Sequence, residues 1–254
     1  MPTPATLTVV LPAYNESQRI GPALDELFAW LDSNPTGLPR IDVLVVDDGS
    51  TDGTADLVRA RTEAARPKDG RQATLAVLPV PHAGKGSAVK AGMLAAGGDL
   101  VIFADADMAT PPSELPKLVT ALQSAEVALG SRIQPDGSDM RSTQPGYRRA
   151  LGALFHRLAS IWVVGEVQDT QCGFKGFRRE AAQDLFARLK VTSIVFDVEL
   201  IHLARRRAYR VAVVPIRWED VRGSRMRPGP LLALKVAWDL FRIPLLHRGV
   251  RRHT

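Results

Sequence analysis

Cysteine is nearly missing from this chain of 254 residues: Cys172 stands alone. One thiol cannot close an intrachain disulfide, and it rules out a Cys-rich zinc site. Long hydrophobic runs are also missing. Every apolar stretch is cut by charge well short of the 18 or so residues a spanning helix needs, so no transmembrane helix is expected. The opening Met-Pro-Thr-Pro-Ala carries no basic region, and a strand-like run begins by Leu7, so a secretory leader is not expected either. Aromatic residues make up only 6% and follow no interleaved basic pattern, which speaks against single-stranded nucleic-acid binding. The five histidines (82, 156, 202, 247, 253) lack metal-ligand spacing and read as incidental. No repeat or low-complexity tract appears.

What is present is an ordinary globular composition, 45% hydrophobic and 24% charged, with a net charge of +6. The charge is unevenly placed. From Arg205 to Thr254 thirteen Lys/Arg face three Asp/Glu, an excess of ten, so the remainder is slightly acidic. Such a tail suits an anionic membrane surface, a nucleic acid or a phosphorylated substrate.

Near-continuous apolar runs at Leu7–Leu11, Val43–Val46, Thr74–Leu78, Leu100–Phe103 and Val127–Leu129 predict buried strands. Helical periodicity separates them at Ile20–Leu31, Thr54–Glu63, Ser87–Ala96 and Pro112–Gln123. Alternation of this kind predicts an α/β fold with an open, mostly parallel sheet flanked by helices, and ligands beyond the carboxyl ends of its strands. Downstream come a Pro/Gly/Ser-rich loop at 134–146, an amphipathic helix from Tyr147 to Trp162, and a polar turn at 168–173. Helices near Arg179–Ala187 and Val195–Arg206 and a strand at Val211–Ile216 follow. A last helix starts near Pro228, with Leu231, Leu234, Trp238, Phe241 and Leu245 along one stripe. Flanked by Arg242, Arg248, Arg251 and Arg252, that stripe suits a helix lying on anionic lipid, or else it packs onto the core.

Chemistry gathers at the predicted strand ends. Asp105-Ala-Asp107 follows a strand, and alternate residues of an extended segment share a face, so both carboxylates can meet one hard cation, Mg2+ or Mn2+. Alone, such a pair would be a helix cap and a solvated turn. Asp47-Asp48-Gly49-Ser50-Thr51-Asp52-Gly53-Thr54 is a second acidic turn, in which Asp52 reads as a cap for the next helix. Pro12-Ala-Tyr14-Asn15-Glu16 ends the first strand with an aromatic and a carboxylate. His82-Ala-Gly84-Lys85-Gly86 sets a lysine between glycines before a helix, a place favourable for phosphate, although it is not a Walker A sequence.

Taken together these four segments resemble the family 2 glycosyltransferases of the GT-A fold. Gly130-Ser-Arg132, Asp169-Thr-Gln171-Cys-Gly-Phe-Lys175 and Phe196-Asp197-Val-Glu199 are similar to the dolichyl-phosphate sugar synthase branch, nearer its glucosyl than its mannosyl members. The resemblance covers roughly residues 6 to 243. It implies a GT-A catalytic domain over residues 1–227, with a nucleotide-binding half (1–130) and an acceptor-binding half (131–227), followed by a basic amphipathic helix and tail at 228–254.

By resemblance, Pro12, Tyr14, Glu16 and Asp47 surround the base and ribose, with Asp48 nearby. Lys85, Gly86 and Arg225 meet the diphosphate, and Asp105 and Asp107 hold the metal. Arg132 and Arg148 or Arg149 contact an acceptor phosphate, and Gln171 lines the acceptor side. Some relatives place a third metal ligand where this chain has Ala109; water or Thr110 would substitute. Asp169 and Asp197 are base candidates if the acceptor is a hydroxyl, although Asp197 and Glu199 can instead pair with arginines of the 205–210 cluster. The implied partners are a nucleotide-sugar donor (UDP-glucose ahead of GDP-mannose), a polyprenyl phosphate acceptor and an anionic membrane surface, with no nucleic acid; the alternatives are a glycosyltransferase with a soluble acceptor and a non-catalytic, membrane-docked member of the fold. The implied location is cytoplasmic and peripheral at the inner face of the membrane. Oligomeric state is left open.

Overall fold

Strand β1 (Leu7–Ala13) lies between β2 (Ile41–Asp47) and β4 (Leu100–Ala104) and runs parallel to both. The computed structural model describes residues 6–33, 40–61, 63, 73–140, 167, 169–219 and 230–252. Its seven-stranded sheet is completed by β3 (Ala73–Pro79), β5 (Val127–Ser131), β6 (Phe174–Arg178) and β7 (Val211–Pro215), in the order β3-β2-β1-β4-β6-β5-β7. All pairings are parallel except those of β6, which runs antiparallel to both β4 and β5. Strand order reverses at β1 and β4, and in open α/β sheets ligands bind beyond the carboxyl ends of the strands at such a point.

Side chains alternate across β1. Leu7, Val9 and Leu11 face a core built with helix α1 (Ile20–Ser33), whose Ile20, Ala23, Leu24, Leu27, Phe28 and Leu31 repeat at helical spacing. Val10 faces the opposite core, with Val46 and the aromatic group Phe103, Phe177, Phe186 and Phe196. Phe177 meets Phe186 edge-on at 5.3 Å, and each such buried ring contributes roughly 1.5–3 kcal/mol. Helix α2 (Thr54–Arg59) follows β2. Helix α3 (Lys85–Ala95) lies so close to the sheet that a Cβ on Gly92 would stand 2.4 Å from Val10 Cγ1. A 3-10 turn (Pro112–Glu114) and helices α4 (Leu115–Ala121), α5 (Arg179–Arg188), α6 (Phe196–Arg206) and α7 (Pro230–Leu246) complete the described elements.

The five expected strands of the first 131 residues are all present. Strand β6 is the departure: periodicity predicts only a turn before a helix there. Its five residues include Lys175 and Gly176, and tertiary pairing on both edges, not local preference, makes them a strand. Of the predicted loop at 134–146, the described residues 134–140 form a tight turn closed by an Ile133–Asp139 bridge. The predicted helix at Tyr147–Trp162 and the side chains of Leu231 and Leu234 lie outside the described residues.

The described part of helix α7 packs by a face other than Trp238, Phe241 and Leu245 of its stripe. Leu240 and Ile243 are buried, Asp239 accepts from Ser193 Oγ at 2.6 Å, and His247 Nε2 meets Glu199 Oε1 at 2.6 Å. The packed face is therefore not the predicted one. Trp238 and Phe241 are 61% and 50% exposed and stack on each other with centroids 6.1 Å apart, and Leu245 is exposed beside them. Among the described residues no helix is long and apolar enough to cross a membrane.

Candidate active site

Two strand-end turns are stitched together first. After β1 the chain enters the left-handed region at Asn15 (φ 54°), a conformation that Asn tolerates. Asn15 N donates to Ser50 Oγ at 2.9 Å, and Asn15 Oδ1 accepts from Thr51 N at 2.8 Å. Glu16 N donates to Thr54 Oγ1, and Asp52 accepts from both Ser17 N and Thr54 N. Hydrogen bonds from Thr54 and Ser17 outweigh what desolvation Asp52 suffers and hold its carboxyl well below the usual range. Asp52 is thus committed to the turn, and Glu16 is gripped by Arg19 at 2.6 Å.

Asp47 and Asp48 have different tasks. Asp48 is buried, and its two oxygens accept from Ala83 N (2.9 Å) and Gly84 N (3.0 Å), so it shapes the glycine-lysine turn and is not left open to a nucleotide. Asp47 is also buried, but its Oδ1 has no hydrogen-bond partner. A buried, unpaired carboxylate oxygen at a sheet edge costs more than about 1 kcal/mol unless a ligand donates to it. Pro12 is half-buried beside it in the register Pro12↔Val46, Ala13↔Asp47. Tyr14 is exposed and stacks on His82 at 4.1 Å. His82 is therefore not incidental: its Nδ1 lies 3.0 Å from Asp48 O and 2.9 Å from Asp48 Oδ2, which places the ring proton there.

The carboxylate pair sits just past β4. Met108 adopts φ 51°, a strained backbone of about 1–3 kcal/mol that turns the chain sharply after Asp107. Lys85, at the first turn of α3, donates to Asp105 Oδ1. Desolvation works against the Lys85 charge, but Asp105, Asp197 and Asp107 outweigh it and hold its pKa above the usual lysine range. Burial, and then the like charge of Asp105, pushes the Asp107 carboxyl up. Two hard-oxygen ligands that repel each other and already attract an ammonium fit a divalent cation. Among the described residues no group of three His, Cys, Asp or Glu side chains is placed to hold a metal ion, and Ala109 occupies the third position. Gly86 is required beside this pair, since a Cβ there would stand 2.8 Å from Thr192 O.

On the other side of β4, Arg132 follows β5. Its Nε and Nη2 donate to Asp169 at 2.8 and 2.6 Å, and its backbone N donates to the same carboxylate. Desolvation opposes the Arg132 charge, but Asp169 outweighs it and raises the pKa further. Asp169 is buried with both oxygens on Arg132, an arrangement that suits positioning better than proton removal. Gln171 is half-buried on the turn that follows.

The expected pairing of Asp197 and Glu199 with the 205–210 arginines does not occur. Those arginines lie at the far end of α6, whereas both acids sit in its first turn. Asp197 binds Lys175 Nζ at 2.6 Å, and Glu199 accepts from Lys190 N, Val191 N and His247. Burial pushes the Asp197 carboxyl up against the pull of Lys175. Cys172 is buried and its thiol is pushed up to about 12, so it packs as an apolar filler. Arg148, Arg149 and Arg225 lie outside the described residues. Residue-level reading passed over His82, Gly173 and Trp218, whose roles depend on contacts across 30 or more positions of sequence.

Comparison with known proteins shows the family and the fold. The model of glycosyl transferase family 2 matches residues 8–186. A dolichyl-phosphate beta-glucosyltransferase of Trichomonas vaginalis is 38% identical over 98% of this chain and 73% of its own length. Those of Drosophila melanogaster and Homo sapiens are 37% and 32% identical over 87% of this chain and 69% and 70% of theirs. Among solved structures, glucosyl-3-phosphoglycerate synthase from Mycobacterium tuberculosis, in complex with Mn2+, UDP-glucose and phosphoglyceric acid, superposes with a TM-score of 0.65. It is 24% identical and covers 97% of this chain and 80% of that one, a likeness of fold. The sheet order, the strand-end motifs and these likenesses agree: the chain belongs to glycosyl transferase family 2, has its GT-A architecture, and falls in the dolichyl-phosphate beta-glucosyltransferase branch.

Proposed function

We propose that this chain transfers a hexose, glucose from UDP-glucose ahead of mannose from GDP-mannose, to the phosphate of a polyprenyl lipid. The observation that carries the reading is the convergence of Asp105, Asp107 and Lys85 on one side of the β4 end with Arg132 on the other. Asp47 Oδ1 awaits a donor such as a base N–H or ribose hydroxyl, and Tyr14 offers a ring face. Asp105 and Asp107 would hold Mg2+ or Mn2+, which supplies Lewis-acid stabilisation of the leaving diphosphate. Lys85 adds positive charge beside them, and Arg225 is proposed to do the same. Arg132, with Arg148 or Arg149, orients the acceptor phosphate.

That phosphate is ionised at neutral pH, so positioning contributes more than a general base. Inversion at the anomeric carbon follows the family precedent. Asp169 and Asp197, tied to Arg132 and Lys175, would serve to hold these groups in place.

For location, the exposed Trp238–Phe241–Leu245 face of α7 and the exposed Lys235, Arg248, Arg251 and Arg252 suit seating on anionic lipid at the cytoplasmic face of a membrane. The test is incubation of the chain with labelled UDP-glucose, Mn2+ and polyprenyl phosphate, followed by extraction into organic solvent. Label should enter the solvent phase, and Asp107→Asn should reduce it by about 100-fold or more. Label appearing only in water-soluble product would overturn the lipid acceptor, and full activity in Asp107→Asn would overturn the metal site.

A further inference from the structure

The segment after β7 is pinned at two points, one at the end of β5 and one at the turn after β4. Ile216 N donates to Ser131 O at 3.0 Å, and Gln134 Nε2 donates to Ile216 O at 2.9 Å, which fixes it to the end of β5. Glu219 N donates to Ala109 O at 2.9 Å, which fixes it to the turn carrying Asp105 and Asp107. Trp218 stands between these two anchors, half-buried, with the Arg132 guanidinium carbon 5.5 Å from its ring centroid.

Arg132 is thus held from two directions: Asp169 takes two of its five N–H donors, and the guanidinium carbon lies over the Trp218 ring. Among the described residues no other acceptor takes the remaining three. A guanidinium fixed this way keeps a free edge for an incoming anion and pays little rotamer entropy on binding. An indole beside an oriented arginine matches a ligand whose anionic head is joined to a hydrocarbon chain.

We propose that Trp218 is an acceptor-site residue, holding the Arg132 guanidinium and giving the first, phosphate-proximal isoprene of a polyprenyl phosphate an apolar wall. This rests on the lipid-phosphate acceptor proposed above and adds a residue that decides between lipid and soluble acceptors.

The experiment is steady-state kinetics of the full chain with UDP-glucose, Mn2+ and a short, detergent-soluble polyprenyl phosphate. Trp218→Ala should raise the acceptor KM roughly 10-fold, the factor set by about 1.4 kcal/mol, and leave the donor KM unchanged. Trp218→Phe, which keeps a ring face, should recover most of that loss. Equal rises in donor and acceptor KM with a lowered melting temperature, or an unchanged acceptor KM in Trp218→Ala, would overturn the inference. A wild-type chain that glucosylates no lipid phosphate would instead sink the proposed function itself.

Discussion

The carboxylate of Asp105 lies directly against the α-carbon of Gly173: a Cβ built there would stand 2.1 Å from Asp105 Oδ2 and 2.4 Å from its Cγ. Gly173 precedes β6, the antiparallel strand beside β4, so the turn before one strand becomes the floor beneath the carboxylate after its neighbour. Gly173→Ala should therefore displace Asp105. Transferase activity should fall by at least about 10-fold, as expected when a reacting group is misplaced by a fraction of an ångström. The apparent Mn2+ midpoint should rise with it. Metal titration of activity checks this, and an unchanged midpoint would contradict the contact.

Lys175 is fully buried, with Nζ donating to Cys172 O and Asp197 Oδ1 and lying 5.4 Å from the Phe103 ring centroid. Removing one partner of a buried pair strands the other charge, at a cost of about 3–5 kcal/mol. Lys175→Met should lose stability of that order in urea denaturation. The double variant Lys175→Met with Asp197→Leu should recover part of it, because no unpaired charge remains. A double variant less stable than the single one would show that packing, not charge, sets the cost.

Glu126 and Arg210 tie the start of β5 to the residue before β7. Hydrogen bonding from the Arg210 side chain, against some burial, lowers the Glu126 carboxyl from 4.5 to about 2. A depressed carboxyl stabilises the fold above its unfolded pKa, and that contribution is lost as pH falls through the folded value. Since Arg210 is largely exposed, solvent screening cuts the effect to about 1 kcal/mol. Glu126→Gln should be less stable than wild type by that amount at pH 7. The gap should close between about pH 4.5 and 2, as followed by thermal melts across pH.

The exposed face of α7 makes a separable prediction. Trp238→Ala with Phe241→Ala removes two largely exposed rings, so the melting temperature should move little. Sedimentation with anionic vesicles should fall several-fold, and added salt should weaken the wild-type association as well. Unchanged sedimentation would show that this face does not meet lipid.

Much of the fold was legible before any tertiary contact was known. Strands β1 to β5 are apolar because both sheet faces are covered, and their ends carry the acidic and glycine-bearing turns. Asp105 and Asp107 were visible as a pair from their place after a strand, although the expected extended segment is a turn, closed by Met108 N donating to Asp105 O. Other features were invisible for physical reasons. Strand β6 has no local signature, since the charge of its lysine is balanced by an aspartate 22 positions away. Asp47 and Asp48 look equivalent as neighbours, yet pleating sends one to the backbone of residues 83–84 and leaves the other with an unpaired oxygen.

Local pattern by itself determined that this is a βαβ sheet protein with acidic strand ends, because burial and periodicity act over a few residues. Which carboxylate stays open, which face of α7 meets solvent, and where Arg132 is aimed were decided only by the packed structure. Those outcomes depend on pairings between segments far apart in the chain, which no short window of residues contains.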